Sequence, residues 1–166
     1  GDDFLAHLSI DWEAAALGAS DKGIRAVTMR FGVIFASSGG ALSKMIPAFK
    51  AFVGGPMGNG RQWFPWIHLD DLMKALLFIF DHPQIAGPLN FCAPNPVTNR
   101  ELAATLGKTL HRPAIMPAPA FLMRLILGEF SQVLLGSQRT VPRKLLDHGF
   151  EFQYPEIGQA LKAIVR

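Results

Sequence analysis

The first apolar pattern along the chain is helical. Phe4, Leu5, Leu8, Trp12, Ala15 and Ala16 recur close to every 3.6 residues, which predicts a helix over residues 4–19. Asp21-Lys22-Gly23 ends it, with Gly18 and Gly23 as breakers. From Arg25 to Phe35 the period changes to that of a strand. Its apolar residues fall on both faces from Phe31 onward, as in a parallel strand covered on both sides. Helix, glycine turn and such a strand make half of a βαβ unit.

Ala36 to Gly40 reads as a loop, 41–52 as a helix bent at Pro47, and 54–60 as a glycine-rich turn or exposed loop. Trp63 to His68 alternates as a short strand, with Phe64, Trp66 and His68 on one face and Pro65 marking an edge or a bulge. Asp70 or Asp71 is placed to cap a helix over 72–80, apolar nearly all round and therefore expected to be deeply buried. A strand over 88–93 follows, then Thr98-Asn99-Arg100-Glu101, a capping box, opens a helix over 102–110. Beyond a proline-rich connector the pattern predicts a helix around 120–135, a short helix over 141–147, a small strand over 150–154 and an amphipathic helix over 155–165. The fold class is α/β with a helix-rich C-terminal third.

Composition sharpens this picture. At 166 residues and 49% hydrophobic, the chain can bury roughly two-thirds of its unfolded surface. Only 17% is charged, against about 25% in an ordinary domain. The deficit predicts apolar surface meant for a missing half-domain or an oligomer interface. The net charge of +3 is scattered, without a basic stripe, which argues against nucleic acid as a partner. A single cysteine, Cys92, excludes an internal disulfide and a thiolate-rich zinc site; between Phe91 and Ala93 it reads as a buried, inert thiol. His7, His82, His111 and His148 show no metal-ligand spacing. The longest apolar run, 118–127, is broken by Arg124 and falls short of the ~20 residues of a membrane span, so the expectation is a cytoplasmic protein without a membrane partner. Gly1-Asp2-Asp3 is not a natural initiation, and the chain is expected to start inside a longer gene product or after a removed leader.

One segment carries more than periodicity. Gly58-Asn59-Gly60-Arg61-Gln62-Trp63-Phe64-Pro65-Trp66-Ile67-His68-Leu69-Asp70-Asp71-Leu72, read with Leu89-Asn90-Phe91 and Pro96-Val97-Thr98-Asn99, resembles the second half of an extended short-chain dehydrogenase/reductase, nearest to the atypical sugar-nucleotide-epimerase-like branch. The matching order runs from about Phe4 to the C-terminus. The resemblance implies the C-terminal part of a Rossmann-like doubly wound parallel sheet with a helix-rich substrate-binding subdomain. Residues 1–37 would be the last helix and strand of the Rossmann-like domain. Residues 38–166 would be the substrate-side part, with strands returning to the sheet. NADP or NAD is the implied cofactor and a small polar or sugar-like molecule the implied substrate. The implied partner is the missing N-terminal half, in the same product or as a separate chain; homo-oligomerisation is a further expectation.

The chemistry of that family needs a Gly-x-x-Gly-x-x-Gly turn, which lets backbone approach the cofactor pyrophosphate at a helix N-terminus. Gly54 to Gly60 has the glycine density but not the following helix, and reads as a flexible substrate-side loop. The family also needs a Tyr-x-x-x-Lys pair, in which the lysine charge lowers the phenol pKa. Tyr154 is the only tyrosine and has no lysine at +4. Registered through Trp12-Glu13, Leu5 and Ser9 stand where the pair would be, so no catalytic residue is assigned. The strand over 29–35 resembles the family's Leu-Arg-x-x-Asn-Val-Tyr-Gly-Pro. Arg30 is kept, while Val33 and Phe35 replace asparagine and tyrosine. Arg30, Gly32, Val33 and Phe35 are the implied cofactor-side residues; the plainer reading of Arg30 is a sheet-end arginine paired with a carboxylate. Residues 60–71 match Arg-Asp-Phe-x-His-x-Asp-Asp. Phe64 stands where the substrate-phosphate arginine often lies, which counts against a nucleotide-diphosphate sugar. Lys44 or Arg61 would supply a replacement cation, and Gln62, Trp63 and Phe64 complete the substrate-side candidates, although strand-end aromatics also read as core. His68 with Asp70 and Asp71 reads as a structural tie. The chain alone is expected to be catalytically incompetent, and the rival reading is a non-catalytic cofactor-sensing or protein-interaction module on the same scaffold.

Overall fold

The computed structural model of the chain describes residues 4–119 and 135–165, with single positions 121, 125, 128 and 131 between them. The helix expected around 120–135 lies outside the described residues. Helix α1 (Phe4–Leu17) runs into a 3-10 turn (Gly18–Lys22) closed by Gly23 at φ 72°. The apolar residues of α1 are left largely uncovered, with Leu8 and Leu17 half-buried. None of its residues is buried, and Phe4, Leu5, Ile10 and Trp12 are exposed.

The strand expected over 25–35 is two strands. β1 (Val27–Phe31) and β2 (Val33–Phe35) are separated by Gly32. β1 pairs in parallel with β5 (Gly87–Phe91), from Val27 opposite Gly87 to Phe31 opposite Phe91. β2 pairs in parallel with β4 (Trp66–His68), from Val33 opposite Trp66 to Phe35 opposite His68. The exchange of partners takes one residue: Gly32 N–H donates to Phe91 O at 2.9 Å and Val33 N–H to Pro65 O at 2.8 Å. A Cβ on residue 32 would lie 3.0 Å from the Pro65 carbonyl carbon and 3.1 Å from Trp66 N, so the crossing needs glycine. The strand expected over 63–68 is likewise split at Pro65, which has no N–H for a ladder. β3 (Trp63–Phe64) pairs antiparallel with β6 (Val97–Thr98), while β4 joins β2.

The remaining helices are α2 (Gly40–Lys50, containing Pro47), α3 (Leu69–Asp81), α4 (Asn99–Leu110), α5 (Arg143–Asp147) and α6 (Ile157–Ile164). One core gathers Phe35, Leu42, Phe49, Phe64 and Trp66 with Leu102, Leu106 and Leu161; a second gathers Ile67, Leu72, Ile79, Leu89, Phe91 and Leu145. Among the described residues no helix is long and apolar enough to cross a membrane.

Four expectations about local structure are corrected. Helix α3 is buried on one face only: Leu72, Ala75 and Ile79 point inward, whereas Met73, Leu77 and Phe80 are exposed. Its cap is His68, whose Nδ1 accepts from Asp70 N–H at 3.1 Å. The Asp71 carboxylate, fully buried, instead accepts from Gln153 N–H at 2.7 Å and Tyr154 N–H at 2.9 Å. Residues 150–154 therefore form no strand, because a carboxylate satisfies backbone groups that a neighbouring strand would otherwise take. The glycine-rich loop is also well tied. Met57 N–H donates to the buried Asn99 Oδ1 at 2.7 Å, Gln62 Nε2 to Met57 O at 2.9 Å, and Gly58 N–H to Ala118 O at 2.9 Å. The capping box forms as its spacing predicts: Thr98 N–H reaches Glu101 Oε2 at 2.7 Å and Glu101 N–H reaches Thr98 Oγ1 at 3.3 Å.

Candidate functional site

Open parallel sheets bind ligands beyond the carboxyl ends of their strands, where neighbouring strands part. Here that place is Gly32, where the chain leaves β5 for β4. A cleft of about 350 Å³ opens there. Arg30, Phe31 and Gly32 come to it from the end of β1, Asn90 and Cys92 from the end of β5, Pro65 from the break between β3 and β4, and Gln138, Arg139 and Thr140 from the C-terminal segment.

Arg30 meets Glu13 of α1 with Nε to Oε1 and Nη2 to Oε2, both at 2.6 Å. This fork-to-fork pair holds the Glu13 carboxyl below its ordinary value and the Arg30 guanidinium above its own, chiefly through the shared hydrogen bonds, with the opposite charge adding to them against the opposing effect of burial. Arg30 thus takes the carboxylate-paired role and lines the cleft as well. The Phe31 ring, 52% exposed, stands at the rim 5.4 Å from the Phe91 ring. The Arg139 guanidinium sits 5.1 Å from the centroid of the Trp63 ring. It is brought there because residues 137 and 138 run beside β3: Trp63 N–H donates to Ser137 Oγ at 3.1 Å and Gln138 N–H to Trp63 O at 3.4 Å. Asn90 Nδ2 donates to Val141 O at 3.3 Å, tying the same segment to β5. Burial pushes the Cys92 thiol up to about 12, which leaves it protonated and unreactive near neutral pH.

The expected site residues separate. Arg30 and Gly32 line this cleft, and Trp63 touches it through Arg139. Val33 is engaged in the pairing with Trp66, and Phe35 is fully buried, stacked on Trp66 and Phe64 with centroids 5.9 and 6.2 Å away. Phe64 is therefore core. Gln62 is committed to Met57 O. Lys44 is exposed on α2 and lines none of the described clefts, and Arg61 lines a separate one. Gln138, Arg139 and Thr140 were not legible as site residues, since no local motif marks a segment that reaches the cleft by long-range packing. Asn90 stood inside a recognised motif and was open to discovery there.

His68 is occupied structurally. Its Nδ1 accepts from Asp70 N–H, and its ring lies 4.0 Å from the Tyr154 ring. Burial lowers its pKa more than the charges of Asp70 and Asp71 raise it, so the imidazole is neutral near pH 7 and Nδ1 stays an acceptor. On α1, Ser9 Oγ donates to Leu5 O at 2.7 Å, and neither position offers a proton-transfer pair.

Parallel strands that part at a glycine, with a polar cleft at their carboxyl ends, define this chain as a Rossmann-like α/β protein. The family model of the NAD dependent epimerase/dehydratase family matches residues 5–90, just over half of the sequence, and the chain belongs to that family. A second model, a domain of unknown function (DUF1731), matches residues 118–164. The chain is 42% identical, over all of its 166 residues and 48% of the relative, to the chloroplastic epimerase family protein SDR39U1 homolog of Arabidopsis thaliana. Among solved structures it is similar to human epimerase family protein SDR39U1 (isoform 2) with NADPH, at a TM-score of 0.81 and 39% identity over 84% of this chain and 48% of that one. It is also similar to a nucleoside-diphosphate sugar epimerase of Corynebacterium glutamicum, at a TM-score of 0.72 and 37% identity over 97% of this chain and 30% of that one. The chain spans about half the length of the curated relatives it matches.

Proposed function

We propose that the chain supplies the C-terminal half of an NAD(P)-binding epimerase- or reductase-like protein acting on a small polar or sugar-like substrate. The observation that carries this reading is the cleft at the Gly32 strand switch. The residues present fit one end of a dinucleotide and not the other. An exposed aromatic ring, Phe31, offers a face for a flat heterocycle, and Arg30, Asn90 and Thr140 surround it with polar groups. No glycine-rich strand-to-helix turn in the sequence offers backbone N–H groups to a pyrophosphate. The bound nicotinamide would supply hydride exchange; the chain's own residues orient the substrate and set its charge environment, with Arg139 placed to meet an anionic or hydroxyl-rich group.

In this proposal residues 1–37 complete a cofactor-binding unit and 38–166 form the substrate side. The rest of the cofactor site comes from an N-terminal half, in the same polypeptide or as a partner chain, and the 166-residue chain alone is inactive. The NADPH present with the human relative supports the cofactor class. Calorimetric titration of NADP(H) and NAD(H) into this chain, and into the chain joined to an N-terminal half, tests it. Binding only to the joined form is the expected result. Comparable binding to the 166-residue chain would overturn the reading.

A second reading has its own observation. The helix where the family's proton-transfer pair belongs carries Leu5 and Ser9, with the Ser9 hydroxyl spent on Leu5 O. A cofactor-sensing module would bind cofactor in the joined form and never turn it over with any carbonyl or sugar substrate.

A further inference from the structure

A second cleft, of about 540 Å³, lies between the glycine-rich loop, the first turns of α4 and the connector over 114–117. It shares no lining residue with the cleft at Gly32. Arg61 and Arg100 line it together with Asn59, and among the described residues no carboxylate does. Its apolar lining includes Ala104, Ala114 and Ile115; Ile115 is 80% exposed, so no described residue covers it.

The walls are set by backbone packing. A Cβ on Gly55 would lie 2.2 Å from Met116 O, so the loop and the connector touch at backbone distance. A Cβ on Gly107 would lie 2.8 Å from Ala114 Cβ, which presses the connector onto α4. Arg100 N–H donates to Gly60 O at 2.9 Å and Arg100 Nη2 to Asn59 O at 3.1 Å, fixing that guanidinium at the cleft. Asn59 Oδ1 accepts from Arg61 N–H at 2.8 Å, which shapes the turn that carries Arg61. The Arg61 guanidinium has no hydrogen bond or ion pair among the described residues.

Two cations at one concavity without an acid of their own call for an anion. A carboxylate presents two oxygens and is satisfied by a single guanidinium fork. A phosphoryl group presents three terminal oxygens and takes donors from two arginines at once. The uncovered apolar lining beside them calls for a hydrocarbon body on the same molecule. We propose that this cleft binds a phosphate monoester of a small apolar group, as a site separate from the cleft at Gly32.

Titration of phenyl phosphate into the 166-residue chain, followed by backbone amide NMR shifts, tests this, with inorganic phosphate and benzoate as parallel probes. Saturable shifts should centre on Asn59, Arg61, Ala104 and Ile115 and leave Phe31, Asn90 and Thr140 unmoved. Arg61→Ala removes an exposed side chain and should weaken phenyl phosphate about tenfold or more, as loss of a charged hydrogen bond does. Arg61→Lys, which keeps the charge without the fork, should recover only part of it. Absence of saturation, equal binding by the Arg61→Ala variant, or benzoate binding as well as phenyl phosphate would each overturn the proposal. Equal affinity for inorganic phosphate would overturn its apolar part, and shifts confined to Phe31, Asn90 and Thr140 would move the anion to the other cleft.

Discussion

At the scale of single residues, two buried polar side chains do what periodicity assigns to backbone. Asp71 accepts two N–H groups from a segment more than eighty residues away and thereby fastens the C-terminal region to α3. Replacing it with alanine leaves both partly buried donors without their acceptor. Asp71→Ala should cost about 3 kcal/mol, read from urea unfolding midpoints at constant slope, and Asp71→Asn should cost less because one acceptor survives. His68 gives a pH signature. Its folded pKa lies below the value near 6.5 of an unfolded histidine, so between the two the unfolded chain binds the extra proton. Its contribution is fully present above about pH 6.5 and is lost as pH falls through the unfolded value towards the folded one. Protonation also removes Nδ1 as acceptor for Asp70 N–H. Unfolding curves from pH 7.5 to 5 should show falling stability, and His68→Asn, which accepts the same N–H without titrating, should flatten that slope.

At the scale of elements, the informative events are interruptions. Gly32 and Pro65 each divide what the side-chain pattern presents as one strand, and the two breaks lie against each other through the Val33 N–H to Pro65 O bond. The switch from β5 to β4 depends on a bare Cα at 32. Gly32→Ala should destabilise the chain by about 1–3 kcal/mol, measured by thermal or urea unfolding, because the clash is with backbone rather than with a side chain that can swing away. Broadened amide signals at Asn90 and Thr140 should accompany it, as the strand ends that line the cleft shift. The Arg30–Glu13 pair holds α1 against β1 at this same point. Being solvent-exposed, it contributes no more than about 1 kcal/mol and acts chiefly as an orienting tie.

At the scale of the whole molecule, the low charge content and the exposed apolar groups tell one story. Phe4, Leu5, Ile10 and Trp12 on α1, Met29 and Phe31 on β1, and Met73, Leu77 and Phe80 on α3 are uncovered among the described residues. A groove of about 230 Å³ joins β1 to α3 through Val27, Met29, Leu76 and Phe80. β1 pairs only with β5 among the described strands, so its other edge has open hydrogen-bonding groups. The relatives' additional length supplies a candidate cover for this face. Leu77→Ser with Phe80→Ser should change the unfolding free energy by no more than about 0.5 kcal/mol. The same pair should reduce self-association of the 166-residue chain in sedimentation velocity, and weaken docking of a separately produced N-terminal half. A large loss of stability instead would show that these side chains already serve a core.

What the sequence by itself determined is local or compositional: the α/β order of elements, the capping box at Thr98 and Glu101, the structural use of His68, the inert Cys92 and the family resemblance. These follow from side-chain spacing, turn chemistry and short-range hydrogen bonds, all of which act within a few residues. It also indicated surplus apolar surface, because too few charges are present to cover a free domain. Only the tertiary structure decided that Phe35 and Phe64 belong to the core, that Arg61 faces a different cleft from Arg30, and that Asp71 rather than a strand partner holds residues 153 and 154. It alone brought Arg139 over Trp63. Those outcomes depend on which distant segments pack together, and the free energy that selects among such pairings comes from the whole core rather than from any window of the chain.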